Sequence, residues 1–367
     1  MLLPEIENLY VSEEVKDNPY TQEILNRLKL EPIVLPAGEK PPKPLSPWPE
    51  VLSWGKRTLF LTAYKGRFFR PCPGTKSYLC CGYQIFHIGQ GCSLDCTYCI
   101  LQAYFNEPWL TFFVNVLSDG LAQLKEGLES RPFTRIGTGE FTDSMILEPV
   151  THLNPWLVEF FSRENRGVLE LKTKTVFIDD LKGLEHNRRT IIAWSLNAPS
   201  IVESEEKGAP GLTERLKAAQ IVSDWGYPVA FHFDPIIRFS GWQEEYSWVI
   251  EELFKLVPAE NIVWISLGSL RFMPELKEIA YARFSHTSIF SDEFVIGLDG
   301  KRRYFRPIRV ELYKHLYREI RKHAKDVCVY LCMESPEVWQ ESFGVTPFEF
   351  GGLPKMLDRA AKRVCGF

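Results

Sequence analysis

Gly91-Cys92-Ser93-Leu94-Asp95-Cys96-Thr97-Tyr98-Cys99-Ile100 carries three cysteines in a CxxxCxxC spacing. Three thiolates can hold three irons of a cubane and leave the fourth iron without a protein ligand. An open iron can coordinate a substrate or cofactor, whereas a fully ligated cluster mainly carries electrons. Zinc is the competing reading. It normally takes four ligands at a different finger spacing, and His87 stands near enough in sequence to be a fourth. The plainest alternative is three buried thiols. The chain has 9 cysteines, an odd number. In a chain this long they read as metal or redox chemistry in a reducing compartment, not as a disulfide scaffold.

Working outward, the loop follows one strand-like run and precedes a regular alternation. Strands are expected at Gln84–Ile88, Arg135–Thr138, Val168–Lys174, Thr190–Ser195, Pro228–Phe233 and Asn261–Leu267. Helices are expected near 111–127, 151–163, 178–186, 212–226 and 243–256. Strands separated by crossover helices make a parallel sheet. Six such units predict an α/β fold, a partial (β/α)6 TIM-type barrel. Reacting groups in such folds gather at the carboxyl ends of the strands. Polar residues stand there in series: Cys92, then Gly139-Glu140, Lys174, Ser195-Leu196-Asn197, and His232 with Asp234.

The flanks differ. Residues 1–82 read as an irregular N-terminal extension, with proline-rich turns at 41–49, a short helix at Gln22–Leu30 and a strand at Thr58–Ala63. The barrel is assigned to 83–290. Residues 291–367 form a C-terminal hairpin-helix-strand region. The hairpin spans Phe294 to Arg306 around Asp299-Gly300, a favoured tight-turn pair. A basic amphipathic helix follows at 308–325, and Val327–Leu331 reads as a last strand. The net charge of -4 excludes a basic nucleic-acid coat, so any nucleic-acid contact must be local. No leader or apolar span is visible, so a cytoplasmic protein with no membrane association is expected.

The loop of Cys92, Cys96 and Cys99, with Tyr98 just before the third cysteine, resembles that of radical S-adenosylmethionine enzymes. Gly137-Thr138-Gly139-Glu140 resembles their glycine-rich second-strand motif. More specifically, the chain resembles the spore photoproduct lyase family. The likeness runs from Asn18-Pro19-Tyr20 and Leu59-Phe60-Leu61 through the cysteine loop to Lys172-Thr173-Lys174, Ser195-Leu196-Asn197 and the stretch Pro235 to Trp242. It implies a [4Fe–4S] cluster on the three cysteines and S-adenosyl-L-methionine as cofactor. Gly137, Gly139, Glu140, Lys174, Ser195, Asn197 and His232 would bind that cofactor. It further implies an electron donor such as flavodoxin or ferredoxin, and hydrogen abstraction from a DNA photoproduct or nucleotide.

In that family a cysteine on the second-strand loop returns a hydrogen, assisted by a tyrosine directly after the third cluster cysteine. Here Thr138–Asp143 contains no cysteine, and Ile100 follows Cys99. Cys332 or Tyr330, with Tyr98, are the candidates to take over; a buried thiol on a core strand is the bland reading of Cys332. For the substrate, Arg302, Arg303 and Tyr304 on the hairpin suit phosphate pairing and base stacking. Arg238 suits a substrate phosphate or a structural ion pair. A solvated helix face is the ordinary reading of the basic run beyond them. Two other functions stay open: radical chemistry on a small molecule that is not nucleic acid, and a non-catalytic iron–sulfur or zinc protein that binds nucleic acid.

Overall fold

The computed structural model describes residues 5–74 and 77–367. Seven strands run parallel in one curled sheet: β1 (Gln84–Phe86), β2 (Thr134–Gly137), β3 (Gly167–Thr173), β4 (Thr190–Ser195), β5 (Val229–Ile236), β6 (Ile262–Ser269) and β7 (Cys328–Leu331). They lie in chain order, and Phe69–Pro71 adds an antiparallel edge strand beside β1. Each expected strand is present. The sheet is parallel because helices return the chain between strands; the main ones are Leu153–Ser162, Leu212–Asp224 and Trp242–Leu256. A core of β-branched and aromatic residues such as Ile136, Ile191, Phe231 and Ile265 is fully buried. The result is a half-barrel, open at one side.

Three expectations are corrected. Residues 111–113, expected to begin a helix, belong to the strand Leu110–Phe113, and the helix starts only at Asp119. Four consecutive buried residues, two of them Phe, suit a pleated surface. The stretch 178–186 contains only a single turn, Asp179–Leu181, because Gly183 at φ +76° turns the chain away. The N-terminal extension is not irregular. Ile33–Leu35, Asn8–Ser12, Thr58–Thr62, Leu110–Phe113 and Gly89–Gln90 join, in that order, into a second five-stranded sheet. Helix Pro19–Leu28 stands over it. Asn18 caps this helix by accepting from Tyr20 N at 2.9 Å, with Pro19 just inside the first turn.

The hairpin forms as Phe294–Ile296 and Arg302–Tyr304, and Arg271–Phe272 completes a three-stranded sheet. The basic helix spans Arg306–His323. Beyond β7 two further helices follow, Pro336–Phe343 and Leu353–Cys365. The last one is tied to the barrel by Asp358 to Arg135 of β2, at 2.7 Å, and by Arg188 to the Val364 carbonyl, at 3.1 Å.

Candidate functional site

The cysteine loop opens at Gly91, held at φ +82° with its N–H donating to the Phe141 carbonyl at 2.9 Å. A side chain there would sit 3.0 Å from the Trp109 carbonyl oxygen, so only glycine fits. Lys56 Nζ reaches over from the N-terminal sheet to the carbonyls of Cys92, at 2.8 Å, and Leu94, at 2.6 Å. On the far side Asp95–Cys96 pairs antiparallel with Glu206–Lys207. The adjacent glutamates then grip the loop: Thr97 Oγ1 donates to Glu205 and Tyr98 Oη to Glu206. Arg283 adds a hydrogen bond to Asp95 at 2.9 Å.

The three thiols share one short loop, with Cys96 buried and Cys92 half-buried within it. Burial, then Asp143, pushes Cys92 up to about 12. Burial and Glu206 likewise raise Cys96. Thiols kept protonated by burial become good ligands once a cation displaces the proton. Among the described residues no three thiol, imidazole or carboxylate groups close around the position of a single ion. The ligands of a cubane bind separate irons and need not converge on one point. The donor set, three thiols on one pinned loop, therefore suits a cluster with three protein ligands.

The carboxyl ends of the strands enclose a cavity of about 160 Å³, connected to the loop through Glu140, whose neighbour Phe141 accepts from Gly91 N. Its walls carry paired charges. Lys172 Nζ meets Glu140 at 2.9 Å, and Arg271 binds Asp234 through two contacts of 3.0 and 2.8 Å. His232 Nε2 lies 2.8 Å from Glu170, which also accepts from Tyr83 Oη at 2.6 Å and Trp264 Nε1 at 3.0 Å. Burial works against Lys172, yet Glu140 and Glu170 hold its ammonium charged. Burial likewise opposes the Asp234 carboxylate, and Arg271 outweighs it, keeping the group ionised.

Residues 56–332 match the sequence pattern of the family described as "Spore photoproduct lyase". The chain belongs to the spore photoproduct lyase family. That family is part of the radical S-adenosylmethionine superfamily. The chain is 29% identical over 239 residues to the spore photoproduct lyase of Bacillus subtilis (strain 168), covering 64% of this chain and 68% of that protein. It is 27% identical over 245 residues to that of Geobacillus sp. (strain Y412MC61), covering 65% and 69%. It is also similar to a solved spore photoproduct lyase complexed with dinucleoside spore photoproduct. There the TM-score is 0.81 at 22% identity, over 89% of this chain and 99% of that one. A mutant lyase with bound AdoMet and the same dinucleoside gives 0.79 at 22% identity, over 91% and 99%. At that identity the solved structures establish the shared fold.

Within this spore photoproduct lyase fold, Glu140, Ser195, His232, Tyr330 and Cys332 all line the cavity, as their strand-end positions suggest. Lys174 and Asn197 do not. Lys174 Nζ sits 3.5 Å from Glu206 and 5.7 Å above the Tyr98 ring, so it belongs to the clamp on the cysteine loop. Asn197 is buried, donating to the Pro235 carbonyl at 3.0 Å and accepting from Tyr246 Oη at 2.6 Å. Gly137 leaves room for Tyr83, whose Oη would stand 1.7 Å from an added Cβ. Gly139 packs against Ser144 Oγ and the Lys172 carbonyl.

Arg303 and Tyr304, read from the sequence as surface groups of the hairpin, are interior groups. Arg303 is held by Asp299 at 2.6 Å and by the Met333 carbonyl at 3.0 Å. Tyr304 is fully buried, stacked on Phe294, and accepts from Arg238 N at 3.0 Å. Arg238 itself is bound to Asp292. Arg302 is half-buried and has no ion pair among the described residues. Sequence reasoning missed Glu170, Lys172, Arg271 and Tyr83. One signal was there: Glu170, Lys172 and Lys174 alternate along one strand, which sets three charges on one face of an otherwise apolar run. Arg271 lies just past a strand and carried no such signal.

Proposed function

We propose that this chain is a radical S-adenosylmethionine lyase that acts by hydrogen abstraction on a DNA photoproduct or nucleotide, as the spore photoproduct bound to its structural relatives suggests. One observation carries the reading. A cavity lined by Glu140, Lys172, His232, Asp234 and Arg271 opens at the strand ends, and the residue after Glu140, Phe141, accepts from Gly91 N at the start of the pinned loop of three thiols. Cys92, Cys96 and Cys99 would hold the cluster. When bound, it supplies the electron that splits the sulfonium cofactor and starts radical chemistry.

The chain's own residues bind, orient and exclude water. Glu140 and Asp234 offer carboxylates to the cofactor's amino group, and Lys172 and Arg271 offer cations to its carboxylate. Ser195 is a further donor on the same wall. The Lys56, Glu205 and Glu206 contacts keep the cysteine loop in place. Arg302 is a hairpin cation available to a DNA phosphate. A flavodoxin or ferredoxin would deliver electrons.

The test is anaerobic reconstitution to about four irons per chain, followed by reduction with S-adenosylmethionine and a dinucleoside photoproduct. Two separated thymine residues and 5′-deoxyadenosine are expected. If 5′-deoxyadenosine is released while the dinucleoside is left intact, the substrate assignment falls. A second reading, radical chemistry on a small molecule, is favoured by one observation: the second-strand loop Thr138–Asp143 lacks a cysteine. Substrate turnover without salt-sensitive DNA affinity would select it.

A further inference from the structure

We propose that Cys80 and Cys81 form the hydrogen-donating dithiol of this active site. The proposal rests on the function proposed above. A reaction that begins by removing a hydrogen atom from its substrate leaves a carbon radical that must receive one back. A thiol does this readily, because an S–H bond is weaker than the C–H bond it makes.

Four cysteines, at positions 72, 80, 81 and 332, line the same cavity as Glu140 and Ser195. On a strand, adjacent side chains point to opposite faces. The backbone at 79–83 is not a strand, and Gly82 turns it at φ +75°. Both thiols of the pair therefore reach one space. The loop is fixed there: Leu79 N donates to the Glu334 carbonyl at 3.1 Å, Cys72 N to the Tyr83 carbonyl at 3.0 Å, and the Arg135 guanidinium to the Cys81 carbonyl.

The two sulfurs are chemically distinct. Cys80 is exposed, and its Sγ accepts from Gly82 N at 3.4 Å. The neighbouring Cys81 thiol pulls Cys80 down to about 6; burial opposes this, and the Gly82 N–H and Arg135 add to it. The adjacent Cys80, with burial, keeps Cys81 protonated. A thiol ready to give a hydrogen atom thus sits beside a thiolate. Cys332 is placed differently. Its sulfur faces Arg271 Nη2 at 3.5 Å, and that guanidinium is locked to Asp234.

The step moves one hydrogen atom. The Cys81 S–H bond breaks, a C–H bond forms on the substrate radical, and the unpaired electron passes to the Cys81 sulfur. The Cys80 thiolate shares its lone pair with that sulfur in a three-electron S–S bond that retains the single negative charge. A low-molecular-weight thiol then returns a hydrogen atom to Cys81, and two such thiol radicals combine as a disulfide.

The experiment runs the holoenzyme in D2O, where S–H exchanges, on an unlabelled dinucleoside photoproduct. One deuterium is expected in the repaired thymine. Cys81→Ala should lose most of that label and yield products lacking the returned hydrogen, while still releasing 5′-deoxyadenosine. Full labelling in Cys81→Ala, or loss confined to Cys332→Ser, overturns the proposal. A second readout needs no cofactor. Iodoacetamide at pH 7 should alkylate Cys80 roughly tenfold faster than Cys328, and Cys81→Ala should remove that advantage. Equal rates overturn the pairing. If the wild-type enzyme releases 5′-deoxyadenosine but repairs nothing, the substrate reading fails, and the alkylation rates still decide the dithiol.

Discussion

His232 Nε2 lies 2.8 Å from Glu170 Oε1, joining the middle of β5 to the middle of β3 across the floor of the cavity. Burial alone would raise the Glu170 carboxyl, but the charge and hydrogen bond of His232, with Lys172 and Tyr83, bring it down to about 2. Removing one partner of such a buried pair leaves the others unsatisfied. Glu170→Ala strands Tyr83, Trp264 and His232 together. It should cost about 3–5 kcal/mol, read as a lower urea midpoint. A loss near zero would mean that the pair is not formed. The folded carboxyl is depressed, so its contribution is present above the unfolded value and is lost as pH falls from about 4.3 toward about 2.

Glu148 shows the opposite sign. It is buried, and burial pushes it up to about 8 even though Asn154 N lies 3.1 Å from both of its oxygens. A raised carboxyl favours the folded state fully below its unfolded value and progressively less as pH climbs toward 8. That group alone lowers stability by at most about 1.4 kcal/mol per pH unit across the window. Glu148→Gln removes the titration and keeps an acceptor for Asn154. The variant should match wild type at pH 4, below the unfolded carboxyl value, and melt higher at pH 8. Parallel melting curves at both pH values would refute the burial argument.

Much of the barrel was legible because its strands are long apolar runs with polar ends, and a parallel strand buried on both faces reads that way. Thr190–Ser195 was delimited to the residue. Of the N-terminal sheet, only the strand Thr58–Thr62 was legible. The strands Ile33–Leu35 and Gly89–Gln90 are too short for periodicity, and they pair with partners as distant as Leu110–Phe113. At the site, Cys92, Cys96 and Cys99 declare themselves by spacing. Glu205 and Glu206 do not, since nothing local marks them as the clamp on residues over a hundred positions earlier. Arg303 and Tyr304 misled for a related reason. A charged or phenolic residue on a hairpin is ordinarily a surface group, and only tertiary partners such as Asp299 and Phe294 turn it inward.

The clamp has its own consequence. Glu206 is fully buried between Arg215, at 2.5 Å, and Lys174, at 3.5 Å, while it accepts from Tyr98. Glu206→Ala leaves the Arg215 charge buried and unpaired and frees the strand that pairs with Cys96, at a cost of about 3–5 kcal/mol. Reconstituted protein should then retain less iron, and Cys99 should become more accessible to alkylation. Glu206→Gln keeps the hydrogen bond from Tyr98 and should hold more iron than the alanine variant. Equal iron in all three proteins would show that the clamp does not position the loop.

The hairpin arginines should separate stability from binding. Arg303 is 2% exposed and bridges Asp299, the Met333 carbonyl and the face of Tyr78, so its replacement acts on the fold. Arg302 is half-buried and without an ion pair among the described residues, so its replacement acts on a partner. Arg303→Ala should lower the melting temperature and leave a buried carboxylate at Asp299. Arg302→Ala should melt like wild type, weaken binding to a damaged duplex across all sequences, and reduce the slope of log affinity against log salt by about 1. An unchanged salt slope in Arg302→Ala would remove the hairpin cation from the DNA contact. The other cations of the Arg306–His323 helix would then have to carry the phosphate backbone, and Arg318, which lies on that helix beyond the hairpin, becomes the next position to substitute.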